Sequence, residues 1–275
     1  MTGNSLKRFE QNGKWGFADQ NGDIIIDAIY NEVSPSFING LAGVKIEKLW
    51  GKIDSVGTVV IPIKYKELGH LEGGRIIFEE NGKKGFLDEI GGILLPAMFD
   101  DAHFFFNDYA PVNLEGKWGF INLDGKMVVE PRFENIQGFM GGLAPVQLNG
   151  RWGFVDAQDE LVIPCQYDGA NPFQQGIASV KVGDKWGFIN KSHELVIKPQ
   201  FDDADLFYDS RAVVMIGTKY GVIDQQGDVI IEPEYGIIIN YNLGACSAIN
   251  FENKENGTPP QQQFFDIAGN PLASG

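Results

Sequence analysis

An all-β repeat array is the fold class that this sequence predicts, and three observations lead to it. A glycine anchor recurs at a spacing of 35 residues once and then 34 residues five times. A turn signature follows each anchor at a fixed distance, and short apolar segments flank each turn. Periods of about 20–50 residues are typical of stacked repeat architectures. The anchors are Gly16, Gly51, Gly85, Gly119, Gly153, Gly187 and Gly221.

The residue before each anchor is nearly always tryptophan. All five tryptophans of the chain occupy this phase, and the two exceptions are Lys84 and Tyr220. One repeat cannot bury its apolar face alone, whereas stacked neighbours form a continuous core. We therefore expect the tryptophans to form a buried ladder rather than a ligand-binding box.

Each anchor is followed by a turn signature. Asp or Asn stands three residues after the anchor, and Gly stands three residues further on in five of the seven repeats. Asp159 and His193 replace that glycine in the other two. The pattern predicts a type I turn that ends on a left-handed residue, within a β-hairpin that carries a bulge.

The second strand of the hairpin reaches a proline, which lacks the N–H that a ladder needs. We therefore expect this strand either to end at the proline or to lie at a sheet edge. An aromatic residue follows in all seven copies. Apolar residues then recur in steps of three, as in Phe133, Ile136 and Phe139, which favours a helical turn or an irregular arch over a strand. A third strand follows and leads into the next Trp-Gly pair. Each unit is thus predicted to hold three short strands and one arch.

The run Lys-Trp-Gly-Phe-Ile-Asn, with Val-Ile-x-Pro and Phe-Asp-x-Ala downstream, resembles the WG (KWG) repeats of bacterial proteins. The resemblance is strong over residues 9–236 and weak beyond them. It implies an all-β repeat module of variable copy number, without shared catalytic residues. Lys84 in place of Trp, and Leu49 where Lys or Arg is usual, depart from the pattern.

We expect residues 1–275 to form a single repeat domain. Residues 237–275 are predicted to be a degenerate capping repeat with a polar loop at 252–263. Three strands per unit are few for a propeller blade, which normally has four, so the prediction is an open, curved or superhelical stack. A seven-bladed β-propeller is the alternative if the arches contain a fourth strand.

Composition excludes several function classes. The net charge of −15 opposes a role on nucleic acid or on an anionic membrane. The two cysteines, Cys165 and Cys246, have no metal-ligand spacing, and the first residues lack the apolar stretch of a signal peptide. We therefore expect a cytoplasmic protein without a membrane partner.

No catalytic constellation is evident in the sequence. The histidines His70, His103 and His193 occupy different phases of the repeat, and no phosphate-binding loop is present. We expect no catalytic residue, no cofactor, no metal and no small-molecule ligand.

Specificity is expected where the copies differ, and the arches of repeats 3 and 6 differ most in charge. Solvated loop faces would explain their acidic residues, and a calcium site fits their spacing poorly. Another interpretation is a surface for a basic protein partner, which electrostatic attraction would favour. The leading functional hypothesis is thus a non-enzymatic scaffold, with immunity against a basic bacterial toxin as its sharper form. The candidate partner-binding residues are Asp101, Asp108, Asp203, Asp205 and Asp209.

A glycan- or cell-wall-binding module is the alternative from another class of function. Such a module would use aromatic side chains outside the core phases of the repeat. The available candidates are Phe104, Phe106 and Tyr208.

Overall fold

The computed structural model describes residues 6–241, 245–250 and 261–272. The chain forms two compact units, Met1–Pro131 and Arg132–Gly275. The boundary falls within one strand, Met127–Phe133. All the regular secondary structure of the described residues is β-strand, which confirms the predicted fold class.

Eight small antiparallel sheets follow one another along the chain, and in each of them the strands are hydrogen-bonded in sequence order. The first sheet contains β1 (Lys7–Gln11), β2 (Lys14–Ala18) and β3 (Ile24–Tyr30). The second contains β4 (Glu32–Val33), β5 (Ala42–Ile46), β6 (Leu49–Ile53) and β7 (Val59–Tyr65). The third contains β8 (Glu67–Glu72), β9 (Arg75–Glu80), β10 (Lys83–Asp88) and β11 (Ile93–Phe99). The fourth contains β12 (Asp101–Ala102), β13 (Tyr109–Leu114), β14 (Lys117–Asn122) and β15 (Met127–Phe133).

The remaining four sheets have the same arrangement. The fifth contains β16 (Asn135–Ile136), β17 (Ala144–Leu148), β18 (Arg151–Val155) and β19 (Leu161–Tyr167). The sixth contains β20 (Gly169–Ala170), β21 (Ile177–Val182), β22 (Lys185–Asn190) and β23 (Leu195–Phe201). The seventh contains β24 (Asp203–Ala204), β25 (Arg211–Ile216), β26 (Lys219–Asp224) and β27 (Val229–Tyr235). The eighth contains β28 (Ile237–Tyr241), β29 (Ala245–Asn250) and β30 (Gln261–Asp266).

Most arches contribute a short fourth strand, which was expected only in the alternative prediction. Six of the eight sheets have four strands, and in five of these the first strand is only two residues long. Asp203 and Ala204, for example, pair with Met215 and Val214. Two residues are too few for an alternating pattern to be visible. The expected three strands per unit are therefore corrected to four, the number typical of a propeller blade.

The anchor glycine marks a point where two strands approach closely. A Cβ atom on Gly153 would lie 2.5 Å from the carbonyl oxygen of Ile163 and 2.7 Å from the amide nitrogen of Cys165. The register shifts here, because Trp152 pairs with Tyr167 whereas Phe154 pairs with Ile163. The single glycine thus faces a bulge in the partner strand, and only a residue without a side chain fits.

The proline lies inside this bulged strand and does not end it. Pro164 lies within Leu161–Tyr167, the last strand of its sheet. Because this is an edge strand, the missing N–H of proline costs less there than in a central strand. The expected strand end is therefore corrected, and the expected edge position is confirmed.

The Asp/Asn series caps the hairpin turns as predicted. The Asp54 carboxylate oxygen Oδ1 accepts hydrogen bonds from the backbone N–H groups of Val56 and Thr58, at 3.0 and 2.8 Å. The residue three positions after the capping residue is left-handed in every copy, with φ 89° at Gly57, 69° at Asp159 and 66° at His193. Both parts of the turn signature, the capping residue and the left-handed residue, therefore serve to form the turn.

The tryptophans are less buried than predicted. All five are half-buried, and Trp15, Trp152 and Trp186 pack against the cores from their margins. The residue after the anchor lies deepest, since Phe17, Phe120, Phe154 and Phe188 are each 0% exposed. Five of the seven repeats thus bury a Phe at this position, whereas Lys52 and Val222 occupy it in the other two.

The last sheet confirms the degenerate repeat and corrects its loop. Asp266 caps a turn through the N–H groups of Ala268 and Asn270, and Gly269 has the left-handed φ of 80°. Of the predicted loop 252–263, residues 252–260 lie outside the described part of the chain. Gln261–Asp266 is a strand that pairs with Ala245–Asn250, so residues 261–263 are not loop.

Candidate functional site

Part of the acidic character of the arches is structural. Lys185 Nζ lies 2.6 Å from Asp202 Oδ1, and Asp202 Oδ2 accepts a hydrogen bond from the Gly217 N–H at 2.7 Å. These two donors, led by Lys185, lower the pKa of Asp202. Pairs at the same phase join Lys83 to Asp100 and Arg151 to Asp168. The basic residue before Trp-Gly and the acid after the aromatic therefore form one recurring contact.

Asp101, one of the candidate partner-binding residues, also has a structural role. Its Oδ1 lies 2.6 Å from Lys84 Nζ and accepts a hydrogen bond from the Ala102 N–H at 2.8 Å. Partial burial would raise the pKa of Asp101, but Lys84 and the Ala102 amide outweigh it and the pKa is lowered. Lys84, the substitute for tryptophan, is thus matched by a carboxylate in the following sheet.

Asp108 and Asp209 lie at tight turns. Both have left-handed backbones, with φ 69° and 48°. Asp is one of the few residues that tolerate this conformation, so a local reason exists for each. Asp108 is exposed and Asp209 is half-buried.

Asp203 and Asp205 are the two candidate residues that the structure brings together. They line one cavity of about 360 Å³ in the second unit. One carboxylate oxygen of Asp203 accepts from the Ala204 N–H at 3.0 Å, and one of Asp205 accepts from the Leu206 N–H at 2.8 Å. Both residues are exposed, so these hydrogen bonds orient the carboxylates while leaving them accessible. The other lining residues are Asn171, Ala204, Val213, Met215, Tyr220, Ile237 and Ile238.

The cavity lies where one face of the sheet β24–β27 meets β28. Asp203 is opposite Met215, and Met215 is opposite Tyr220, so these three side chains form one cross-strand row. Its lining combines apolar side chains with the two carboxylates, which give the cavity a negative charge. This combination suits a group with an apolar stem and a positive end.

A substitution at the tryptophan phase borders the cavity. In the preceding sheet the corresponding row is Gly169, Lys181 and Trp186. A Cβ atom added to Gly169 would lie 3.0 Å from Trp186 Cη2, so the indole ring extends over the short strand. Tyr220 has a smaller ring and leaves room beside Asp203. Comparison of the repeat sequences shows that Tyr replaces Trp at this phase, but it does not show that the smaller ring leaves a cavity beside Asp203.

No three His, Cys, Asp or Glu side chains converge as metal ligands would in the described part of the chain. The same residues include no helix of the length and apolar character that a membrane span requires. Both cysteines are unpaired, and burial raises the pKa of each thiol.

The family model described as "WG containing repeat" matches seven segments of the sequence. The segments cover residues 15–50, 50–83, 85–118, 118–152, 152–186, 186–220 and 220–242. No curated protein matches the chain.

Three of the solved structures that match the chain do so at low sequence identity. The crystal structure of a eukaryotic initiation factor is 11% identical, with a TM-score of 0.55 over 98% of this chain and 84% of that chain. Kluyveromyces lactis Hsv2p is 11% identical, with a TM-score of 0.44 over 86% of this chain and 98% of that one. The dihydro-heme d1 dehydrogenase NirN, in complex with DHE, is 9% identical, with a TM-score of 0.45 over 98% of this chain and 72% of that chain. At these identities, the initiation factor shows the all-β fold alone.

Proposed function

Because the chain belongs to the WG-containing repeat family, we propose that it is a non-enzymatic scaffold that binds a basic protein partner through the acidic cavity of its second unit. The observation that carries the proposal is that Asp203 and Asp205 line one cavity together with apolar side chains. Repeat arrays offer surfaces whose variable positions change without disturbing the core. Neutralisation of a basic toxin is one activity of this kind.

Electrostatics supports a basic partner over a neutral one. The chain carries a net charge of −15, and the two cavity carboxylates are exposed. Complementary charge raises association rates and weakens with salt. Of the candidate residues, Asp203 and Asp205 form the centre of the proposed partner-binding surface, and Asp209 lies on the same arch. Asp101 is engaged with Lys84 in the first unit and is less available to a partner.

The test compares the wild type with the triple variant Asp203→Asn, Asp205→Asn, Asp209→Asn as baits in a lysate of the organism that makes the protein. The matched control, Asp184→Asn with Asp228→Asn and Asp124→Asn, also removes three exposed carboxylates, all from hairpin turns. Each captured protein is purified, and its association rate is measured at low and high salt.

We expect a basic partner that associates more slowly with the triple variant and at high salt, but normally with the control. A partner whose affinity is the same at low and high salt, and the same for the wild type and the triple variant, would contradict the proposal.

Glycan binding is a second candidate, favoured by two exposed aromatic side chains. Phe104 and Phe106 are 41% and 52% exposed in one arch, whereas Tyr208 is half-buried. Aromatic faces of this kind can stack on sugar rings. Binding of cell-wall fragments that is lost in Phe104→Ala with Phe106→Ala, but kept in the triple Asp variant, would favour this function instead.

A further inference from the structure

In the second sheet, a cross-strand row with a carboxylate at one end and an aromatic ring at the other holds a cation between them. Glu32, Lys45 and Trp50 lie opposite one another on β4, β5 and β6. Lys45 Nζ is 3.0 Å from Glu32 Oε2 and 5.0 Å from the centre of the Trp50 ring. The ammonium group therefore has a carboxylate on one side and an aromatic face on the other, the two contacts that a cation prefers.

The row at the cavity has the same two ends without the cation. Asp203 occupies the phase of Glu32, Tyr220 occupies the phase of Trp50, and Met215 stands where Lys45 stands. The cavity of about 360 Å³ opens at this row, and Asp205 adds a second carboxylate. An acceptor and an aromatic ring are thus present, whereas the central position supplies no charge.

We infer that this cavity receives the side chain of a lysine or arginine from the partner, and that the row of Asp203, Met215 and Tyr220 recognises it. The ammonium or guanidinium group lies between the Asp203 carboxylate and the Tyr220 ring. Its aliphatic stem lies along Val213, Met215 and Ile238, because long basic side chains cover apolar surface while the charged end stays polar. This inference rests on the proposed function and names the chemical group that the site selects.

The first probes are Nα-acetyl-lysine amide and Nα-acetyl-arginine amide, which are titrated against the whole protein. The methyl resonances of Ile237 and Ile238, which line the cavity, report binding in nuclear magnetic resonance spectra. We expect saturable shifts of these resonances with both probes. The amide of Nα,Nε-diacetyl-lysine, which has the same stem without the charge, should bind at least about tenfold more weakly.

Two variants fill the cavity from within. Met215→Lys supplies the internal cation that Lys45 supplies in the second sheet, and Tyr220→Trp restores the larger ring of the family pattern. Each should weaken probe binding at least about tenfold. Ile216→Lys adds the same charge at the next residue, which is 46% exposed and does not line the cavity, and should bind the probes nearly as the wild type does. Because the second sheet already accommodates a lysine at this phase, Met215→Lys is expected to fold.

The results separate this inference from the proposed function. Unshifted Ile237 and Ile238 resonances, or a Met215→Lys variant that binds the probes like the wild type, would overturn the basic-side-chain site. If the acidic triple variant nevertheless slows a basic partner, the scaffold proposal stands without it. If the probes bind as expected but the partner ignores the acidic triple variant, the site stands and the proposed function fails.

Discussion

Arg132 Nη1 lies 2.5 Å from Asp159 Oδ1, which joins the edge strand of one sheet to the hairpin turn of the next. Thirty-four positions further on, Gln166 Nε2 lies 2.6 Å from His193 Nε2 at the equivalent junction. Asp159 and His193 are the two residues that replace the turn glycine. Each departure from the repeat is thus matched by a polar partner in the preceding repeat.

The first prediction concerns this pair. Asp159→Gly should change the free energy of unfolding by less than about 1 kcal/mol, because the lost ion pair is partly exposed and glycine relieves the left-handed backbone. A double-mutant cycle with Arg132→Ala, followed by chemical denaturation, measures the coupling. We expect about 0.2–1 kcal/mol. A coupling near zero would show that the contact contributes nothing.

The second prediction concerns the anchor glycine. Gly153→Ala should destabilise the protein by several kcal/mol, on the order of an overpacked core, because the added methyl group meets backbone atoms of Ile163 and Cys165. Gly150→Ala is the control. Gly150 has φ 72° with nothing within 4 Å of an added Cβ, so its cost should be the backbone strain alone, about 1–2 kcal/mol. Equal losses in thermal denaturation would contradict the close-approach explanation.

The third prediction separates two aromatic residues of one strand. Phe154 is 0% exposed and Trp152 is half-buried. Phe154→Ala should therefore cost about 3–5 kcal/mol of unfolding free energy. Trp152→Ala should cost less, although tryptophan is the more regular feature of the repeat. A larger loss at Trp152 would restore the buried ladder as the main source of stability.

The fourth prediction concerns acid stability. The Lys185 ammonium and the Gly217 amide lower the pKa of Asp202 in the folded protein below its value in the unfolded chain. Asp202 therefore contributes stability above its ordinary pKa of about 4, and this contribution is lost as the pH falls through the lowered pKa. Asp202→Asn should flatten the fall in melting temperature below about pH 4. A pH profile of Asp202→Asn that matches the wild-type profile would contradict this role.

The periodic features of the fold could be predicted from the sequence because each reflects a local rule. The hairpin turns follow from Asp or Asn and a left-handed glycine, and the capping of Asp54 and Asp266 confirms them. The two-residue strands could not be predicted, since Asp203 and Ala204 pair only because β25 lies beside them.

Periodicity alone also could not separate core from surface. The first residue of the edge strand is apolar in all seven WG repeats, which would suggest burial between stacked neighbours. Leu195 is nevertheless 54% exposed and Ile93 is 63% exposed, whereas Ile197, on the same strand as Leu195, is 4% exposed. The roles of the candidate acidic residues also could not be predicted from periodicity alone. Asp101 has a structural role because it pairs with Lys84, seventeen residues earlier. The space beside Asp203, in contrast, depends on the size of the ring at Tyr220.

The order of the strands within each sheet has a consequence for biosynthesis. The sheet that begins at Asp203 ends at Tyr235, and every strand in it pairs with a neighbour in sequence. Contact order within a sheet is therefore low, and chains rich in local contacts form their structure quickly. A sheet can close soon after it leaves the ribosome, before the following repeat has emerged, so that only a short stretch of unpaired apolar strand is exposed at any moment.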